Sequence, residues 1–274
     1  MLAAIHSAAV LGIDAYDVTV EVDVALGLPQ WTTVGLPASA VKESRERVGA
    51  ALLNSGFSVP PRRITTNLAP ADVRKEGTAF DLPIALGVLV GTGMVDAEAV
   101  ARHTFVGELG LDGSVRPVRG ALSIARMLSA RGSASGAQVL VLPKANVAEA
   151  SLVPTLPLAA PETLAELVAW LRGGGPLPAP GRIAVVTSSE DAVDFADVAG
   201  QESAKRALTI AAAGGHGALL IGPPGAGKTM LARRLPTILP EMTSAESLEV
   251  TAIHSVAGLL DATLGAVTRR PFRA

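Results

Sequence analysis

Residues Asp17 to Val24 alternate strictly between polar and apolar side chains, which places Val18, Val20, Val22 and Val24 on one face of a half-exposed strand. The period then changes. From Ser39 to Leu53, Val41, Val48 and Leu52 fall on one helical face, and Lys42, Glu43, Glu46 and Arg47 turn outward. Ser39 is expected as the N-cap of that helix and Gly56 as its stop. Arg63–Leu68 reads as a strand and Leu82–Leu89 as a buried helix. Thr104–Leu109 is expected as one strand leading into a turn at Leu111–Ser114. A helix over Ala121–Ser129, a strand over Gln138–Leu142 and a helix over Glu162–Leu171, opened by Pro161, complete the series. Strands and helices mixed in this way predict an α+β or α/β domain with its own core. There is no internal repeat.

The pattern breaks at Gly173-Gly174-Gly175-Pro176-Leu177-Pro178-Ala179-Pro180-Gly181, where glycines free the backbone and prolines stiffen it toward an extended form. This predicts a first domain over 1–172, a linker over 173–181 and a second domain over 182–274. In the second, Gly217–Ile221 is a short apolar run suited to a buried parallel strand, and Met230–Leu235 carries helical spacing. Between them Gly222-Pro223-Pro224-Gly225-Ala226-Gly227-Lys228-Thr229 matches the phosphate-binding loop G-x-x-x-x-G-K-[ST] in full. The chemistry needs that order. Glycines let the main chain curl so that successive N–H groups face phosphate oxygens, and the following helix adds partial positive charge. Lys228 is expected to reach the β- and γ-phosphates, and the Thr229 hydroxyl to ligate Mg²⁺. The loop therefore predicts binding of a nucleoside triphosphate, ATP with Mg²⁺.

Composition narrows the choices only a little. Lys and Arg number 23 against 25 Asp and Glu, a net charge of −2, so no global basic field points to nucleic acid. The chain has no cysteine, which excludes disulfides and thiolate zinc sites and is compatible with the cytoplasm. The longest apolar stretch, Leu82–Val95, contains Pro83 and is too short to span a bilayer, and the N-terminus lacks the cationic region of a signal peptide. His6, His103, His216 and His254 are scattered, without the spacing of a zinc site. Arg62-Arg63 and Arg74-Lys75 read as solvated loop charges, and Tyr16, Trp31 and Trp170 are too sparse for a base-stacking platform.

Specific residues carry a family resemblance. Asp194 through Pro236 resembles the opening of an AAA+ ATPase domain, and more narrowly the bacterial magnesium-chelatase-like group known as YifB/ComM. The matching landmarks are Gly200-Gln201-Glu202, Lys205-Arg206-Ala207-Leu208, Ala211 to His216, Gly222-Pro223-Pro224-Gly225, Ile253 to Leu259 and Arg270 to Ala274. The resemblance implies that the turn from Val198 to Gly200 flanks the adenine. It implies a homo-oligomeric ring in the intact family, with DNA as a possible partner and no membrane. The first domain is similar to the Lon-protease-like domain (ribosomal S5 domain 2-like) at the N-terminus of that group, through Val41 to Ser44, Arg74 to Gly77, Val106 to Leu109 and Gly113 to Val118. The expected fold class is thus an α+β Lon-protease-like domain followed by an incomplete α/β P-loop AAA+ domain.

A Lon-type peptidase needs a serine activated by a lysine. By resemblance those positions fall on Ala79 and Leu122, so the resemblance implies no proteolysis and no complete catalytic set in this chain. No apolar strand ending in Asp-Glu follows Thr229, which leaves the expected ATPase domain short of its second acidic motif and its arginine finger. Two readings remain open: a part of a DNA-processing or remodelling motor, and a non-catalytic interaction module built on a degenerate Lon-like fold.

Overall fold

The computed structural model describes residues 1–131, 139–175, 193–260 and 265–272. The chain forms two compact units, Met1–Val185 with Thr251–Gly265, and Val186–Val250 with Ala266–Ala274. Residues 176–181 of the expected linker lie outside the described residues.

The first unit is mixed α/β. Strand β1 (Leu2–Leu11) turns at Gly12, φ 64°, into β2 (Asp14–Ala25), which pairs antiparallel with Ile5 opposite Val20. Then come β3 (Gln30–Val34), α1 (Ser39–Lys42), α2 (Ser44–Asn54), β4 (Arg63–Ala69), α3 (Asp81–Gly91) and α4 (Ala97–Val100). Next in the chain are β5 (His103–Phe105), β6 (Glu108–Leu109), β7 (Val115–Arg116), α5 (Ala121–Ala130), β8 (Val139–Val141), α6 (Val147–Ala150), β9 (Leu158–Ala159) and α7 (Leu164–Leu171). Among the described residues the main sheet runs β3-β4-β2-β1-β5-β8-β9, and β6 and β7 form a separate hairpin. The β1–β2 and β2–β4 pairs are antiparallel, and the other four are parallel.

Burial follows the side-chain period. Val18, Val20, Val22 and Val24 of β2 are all buried, in one core cluster with α3 and with Val48 and Leu52 of α2. Every residue of α3 is buried. Ala121, Ile124, Ala125 and Leu128 of α5 gather with Ala8, Leu140 and Leu142 in a second cluster. At about 25 cal/mol per Å² of apolar surface, these clusters supply the main drive to fold.

Several expectations are corrected by local hydrogen bonding. The helix expected from Ser39 divides at Glu43 into α1 and α2, and the cap position is Ala38, not Ser39. Arg47 does not point outward: its Nη2 donates to the Ala40 carbonyl, 2.9 Å, and its guanidinium meets Asp81. The strand expected through Leu109 stops at Phe105. Gly107 gives its N–H to the Ala79 carbonyl and its C=O to Leu82 N, so its backbone serves the start of α3 and not the sheet. The helix expected from Glu162 starts at Leu164, because Thr163 Oγ1 caps Glu166 N while the Glu166 carboxylate accepts from Glu162 N. Pro161 therefore lies outside it. Gln138 lies outside the described residues, and β8 begins at Val139.

The second unit is helical among its described residues. A 3₁₀ turn over Phe195–Asp197, capped reciprocally by Asp194 and Asp197, leads to α8 (Glu202–Gly214) and α9 (Lys228–Arg234), with a further 3₁₀ turn over Leu235–Ile238. The long helix α10 (Ser244–Ala257), which counts with the first unit from Thr251 on, opens with Thr243 and Glu246 capping each other's backbone N–H. Phe195, Val198, Leu208 and Leu231 form the small core. The strand expected at Gly217–Ile221 is not formed, and Leu219 and Ile221 are 83% and 86% exposed. A parallel strand is held by ladder bonds from its neighbours, and the described residues of this unit contain no other strand.

Candidate nucleotide site

The loop begins where the chain leaves that exposed run. Ala226 N donates to the Pro223 carbonyl at 3.3 Å, closing a turn over Pro223–Ala226. Gly225 and Gly227 sit at φ 81° and 76°, in the left-handed region that a side chain resists, so both glycines are required by the backbone path. Gly227 is the N-cap of α9 and accepts from Leu231 N, 3.0 Å. Leu231 is buried in the core cluster, which fixes the helix beneath the loop.

Lys228 folds back over the loop: its Nζ donates to the carbonyls of Gly222 at 2.8 Å and Pro223 at 2.7 Å. Thr229 is exposed, and the first turn of α9 carries no acidic residue. An ammonium, an exposed hydroxyl, two left-handed glycines and an unopposed helix start form a donor set that suits the phosphates of a nucleotide and its Mg²⁺.

The segment expected to flank the base stands beside this loop. Gly200 and Gln201 are both left-handed, at φ 65° and 55°, and Gln201 leads into α8. A Cβ on Gly227 would stand 2.8 Å from Gln201 Nε2, so this amide lies directly against the last glycine of the loop. Val198 is buried in the core, and its carbonyl accepts from Lys205 Nζ, which also pairs with Glu202 at 2.7 Å. Two ties brace the back of the site: Arg234 Nε donates to the Asp194 carbonyl, and Phe195 N donates to Thr237 Oγ1.

Sequence reasoning had Gln201 only as a family landmark and missed its place against the loop, since its left-handed backbone has no signal beyond the preceding glycine. It missed Thr243-x-x-Glu246, a legible capping box, and had Arg270 only as a family landmark, not as the bridge from Glu246 to the Pro240 carbonyl. His216 N bonds the Ala211 carbonyl just past α8, so this histidine ends a helix. Among the described residues no group of three or more His, Asp or Glu side chains could hold a metal ion, and no helix is long and apolar enough to cross a membrane. Ala79 and Leu122 offer neither nucleophile nor base; the Ala79 carbonyl accepts from Gly107 N, and Leu122 is buried.

Two family models match. That of subunit ChlI of Mg-chelatase covers residues 20–146, and that of magnesium chelatase subunit ChlI covers residues 194–274. The chain is 47% identical to the uncharacterized protein Rv2897c of Mycobacterium tuberculosis over 97% of its own length and 52% of the relative's. It is 46% identical to the competence protein ComM of Haemophilus influenzae, over 93% of this chain and 50% of that one. It is 41% identical to YifB of Escherichia coli, over 99% and 52%. The chain thus spans about half the length of the curated relatives it matches.

Proposed function

The chain is a YifB/ComM-like protein of the magnesium-chelatase ChlI kind, and we propose that its second unit binds ATP with Mg²⁺ through Gly222–Thr229. The observation that carries this is the loop's geometry: glycines in the left-handed region at 225 and 227, with Lys228 Nζ held on the loop's own carbonyls. In the bound state Lys228 would turn to the β- and γ-phosphates and Thr229 Oγ1 to Mg²⁺. Mg²⁺ supplies charge neutralisation at the phosphates. The chain's own part is to present N–H groups, hold the lysine at the loop mouth and keep carboxylates away from the first turn of α9.

In this reading the first unit is a Lon-protease-like scaffold without peptidase chemistry, since alanine and leucine stand at the two positions that would need serine and lysine. The family supports an AAA+ motor that assembles as a homo-oligomeric ring and acts on DNA in the cytoplasm. The name of the Haemophilus relative, competence protein, favours the DNA role.

Calorimetric titration of ATP and Mg²⁺ into the chain tests the site. Lys228→Ala removes a charge-assisted contact of about 1.5–3 kcal/mol, so affinity should fall by about one to two orders of magnitude. Equal affinity in wild type and variant would overturn the assignment.

A further inference from the structure

The seven-stranded sheet ends differently on its two sides. One edge is β9, only two residues long; the other is β3, five residues that pair with β4 and with no further strand among the described residues. A very short edge strand offers few free N–H and C=O groups, whereas a longer one presents a row of them to any strand that arrives. Gln30-Trp31-Thr32-Thr33-Val34 carries no proline, glycine or lysine to discourage such pairing, and its tryptophan, threonines and valine all favour strands. Gln30, Thr32 and Val34 are exposed along one face of this edge.

Both ends of the edge present leucine to solvent. Leu26 and Leu28, just before the strand, are 85% and 87% exposed, and Leu36, just past it, is 54% exposed. Leu36 is held there against its own preference. At φ 54° it occupies the left-handed region, fixed by its carbonyl accepting from Lys75 N and by Ala38 N donating to the Lys75 carbonyl. Leu28 and Leu36 stand four residues to either side of Thr32. Charge is divided between the two ends as well. Arg63 pairs with Gln30, so Arg62 and Arg63 mark the N-terminal end, both exposed and without an ion pair among the described residues. Beyond the C-terminal end, the loop that meets Pro37 through Lys75 carries Asp72, exposed and likewise without an ion pair, while Arg74 and Glu76 neutralise each other at 3.4 Å.

We propose that β3 is a docking edge for a second copy of this chain, the two strands pairing antiparallel about Thr32. Antiparallel pairing reverses one copy against the other. The Leu28 corner of each copy then meets the Leu36 corner of the other, and Arg62 and Arg63 of each approach Asp72 of the other. The edge is thus self-complementary in hydrogen bonding, in apolar surface and in charge, as a two-fold interface requires. An unrelated extended segment would satisfy the backbone row but has no cause to match both ends. The pairing uses the first unit alone and is independent of whether the loop binds ATP.

Sedimentation equilibrium of the full chain without nucleotide tests it, and wild type should associate to dimers along a dilution series. Thr32 stands opposite itself across the two-fold axis. Thr32→Lys and Thr32→Asp therefore each set like charges face to face and should weaken the dimer by about fivefold or more. An equimolar mixture of the two variants sets lysine against aspartate and should restore it, which a misfolded variant could not do. In hydrogen exchange, the amides of Gln30–Val34 should gain protection as wild-type concentration rises, and gain less in Thr32→Lys. A monomeric wild type, or a mixture no more dimeric than its parts, would overturn the proposal. Association indifferent to both substitutions would place the contact on another surface and sink it equally. Protection of β3 that does not change with dilution would give the edge a different occupant, with the same result.

Discussion

Arg47 grips Asp81 through both arms of its guanidinium, Nε to Oδ2 at 2.7 Å and Nη2 to Oδ1 at 2.9 Å, and so pins α2 to the first turn of α3. Asp81 is almost wholly buried, and burial pushes its carboxyl above the usual carboxylate range although Arg47 and the Leu109 N–H pull the other way. Removing one partner of such a pair leaves an uncompensated buried charge. Arg47→Met should therefore cost about 3 kcal/mol, and Arg47→Met with Asp81→Leu should recover most of it. Urea unfolding of the single and double variants decides; a double variant no better than Arg47→Met would remove the pair from the account.

Gly87 lies inside the buried helix α3, where helix propensity alone favours alanine by about 1 kcal/mol. Packing opposes it more strongly. A Cβ there would lie 2.4 Å from Val22 Cγ2, an overlap of the kind that costs about 1–3 kcal/mol. Gly87→Ala should lower Tm, and Val22→Ala in the same chain should be less harmful than the two losses added together. Simple additivity would show that Val22 is not the obstacle.

Burial holds the His103 imidazole below its ordinary range, Nδ1 is buried with no hydrogen-bond partner among the described residues, and the ring meets Trp170 edge-on at 5.1 Å. A folded value below the unfolded one means that the native state binds fewer protons. Stability from this site is complete above the unfolded value of about 6.5 and is lost as pH falls through it toward the folded value. Tm should drop between about pH 7.5 and about pH 5.5, and His103→Phe should drop less. Identical drops in the two proteins would exonerate His103.

At the loop, Gly227→Ala would force a left-handed alanine, roughly 1 kcal/mol of strain, and drive its methyl against the Gln201 amide. ATP affinity should fall by about tenfold or more while the first unit melts unchanged. Adding Gln201→Ala should restore part of the loss. Wild-type affinity in Gly227→Ala would mean that nucleotide does not bind here.

Legibility in the sequence tracked how far each element depends on distant partners. Strand β2 and helix α3 were readable because their own periodicity states which side is buried. Strand β1 escaped notice: its Ala3, Ala4, Ala8 and Ala9 blur the alternation, and only pairing with β2 and β5 makes it a strand. Arg47 read as a solvated charge because its buried partner stands in another helix. Gly217–Ile221 erred the other way, since an apolar run states a preference for a strand and cannot supply the neighbours that complete one. The left-handed glycines and the helix start at the loop were readable because they lie within eight consecutive residues. The hydrogen bond from Gly120 N to Ser255 Oγ, across 135 of the chain's 274 residues, left no trace in either segment.

The two carbonyls that hold Lys228 set a threshold for what the loop can admit. An incoming ligand must offer the ammonium acceptors at least as good as Gly222 O and Pro223 O. Phosphate oxygens, carrying full charge, would be stronger acceptors for the ammonium than two neutral carbonyls. In the proposed site the folded-back lysine would thus act as a gate: only a ligand whose oxygens outbid the Gly222 and Pro223 carbonyls would draw it across the loop.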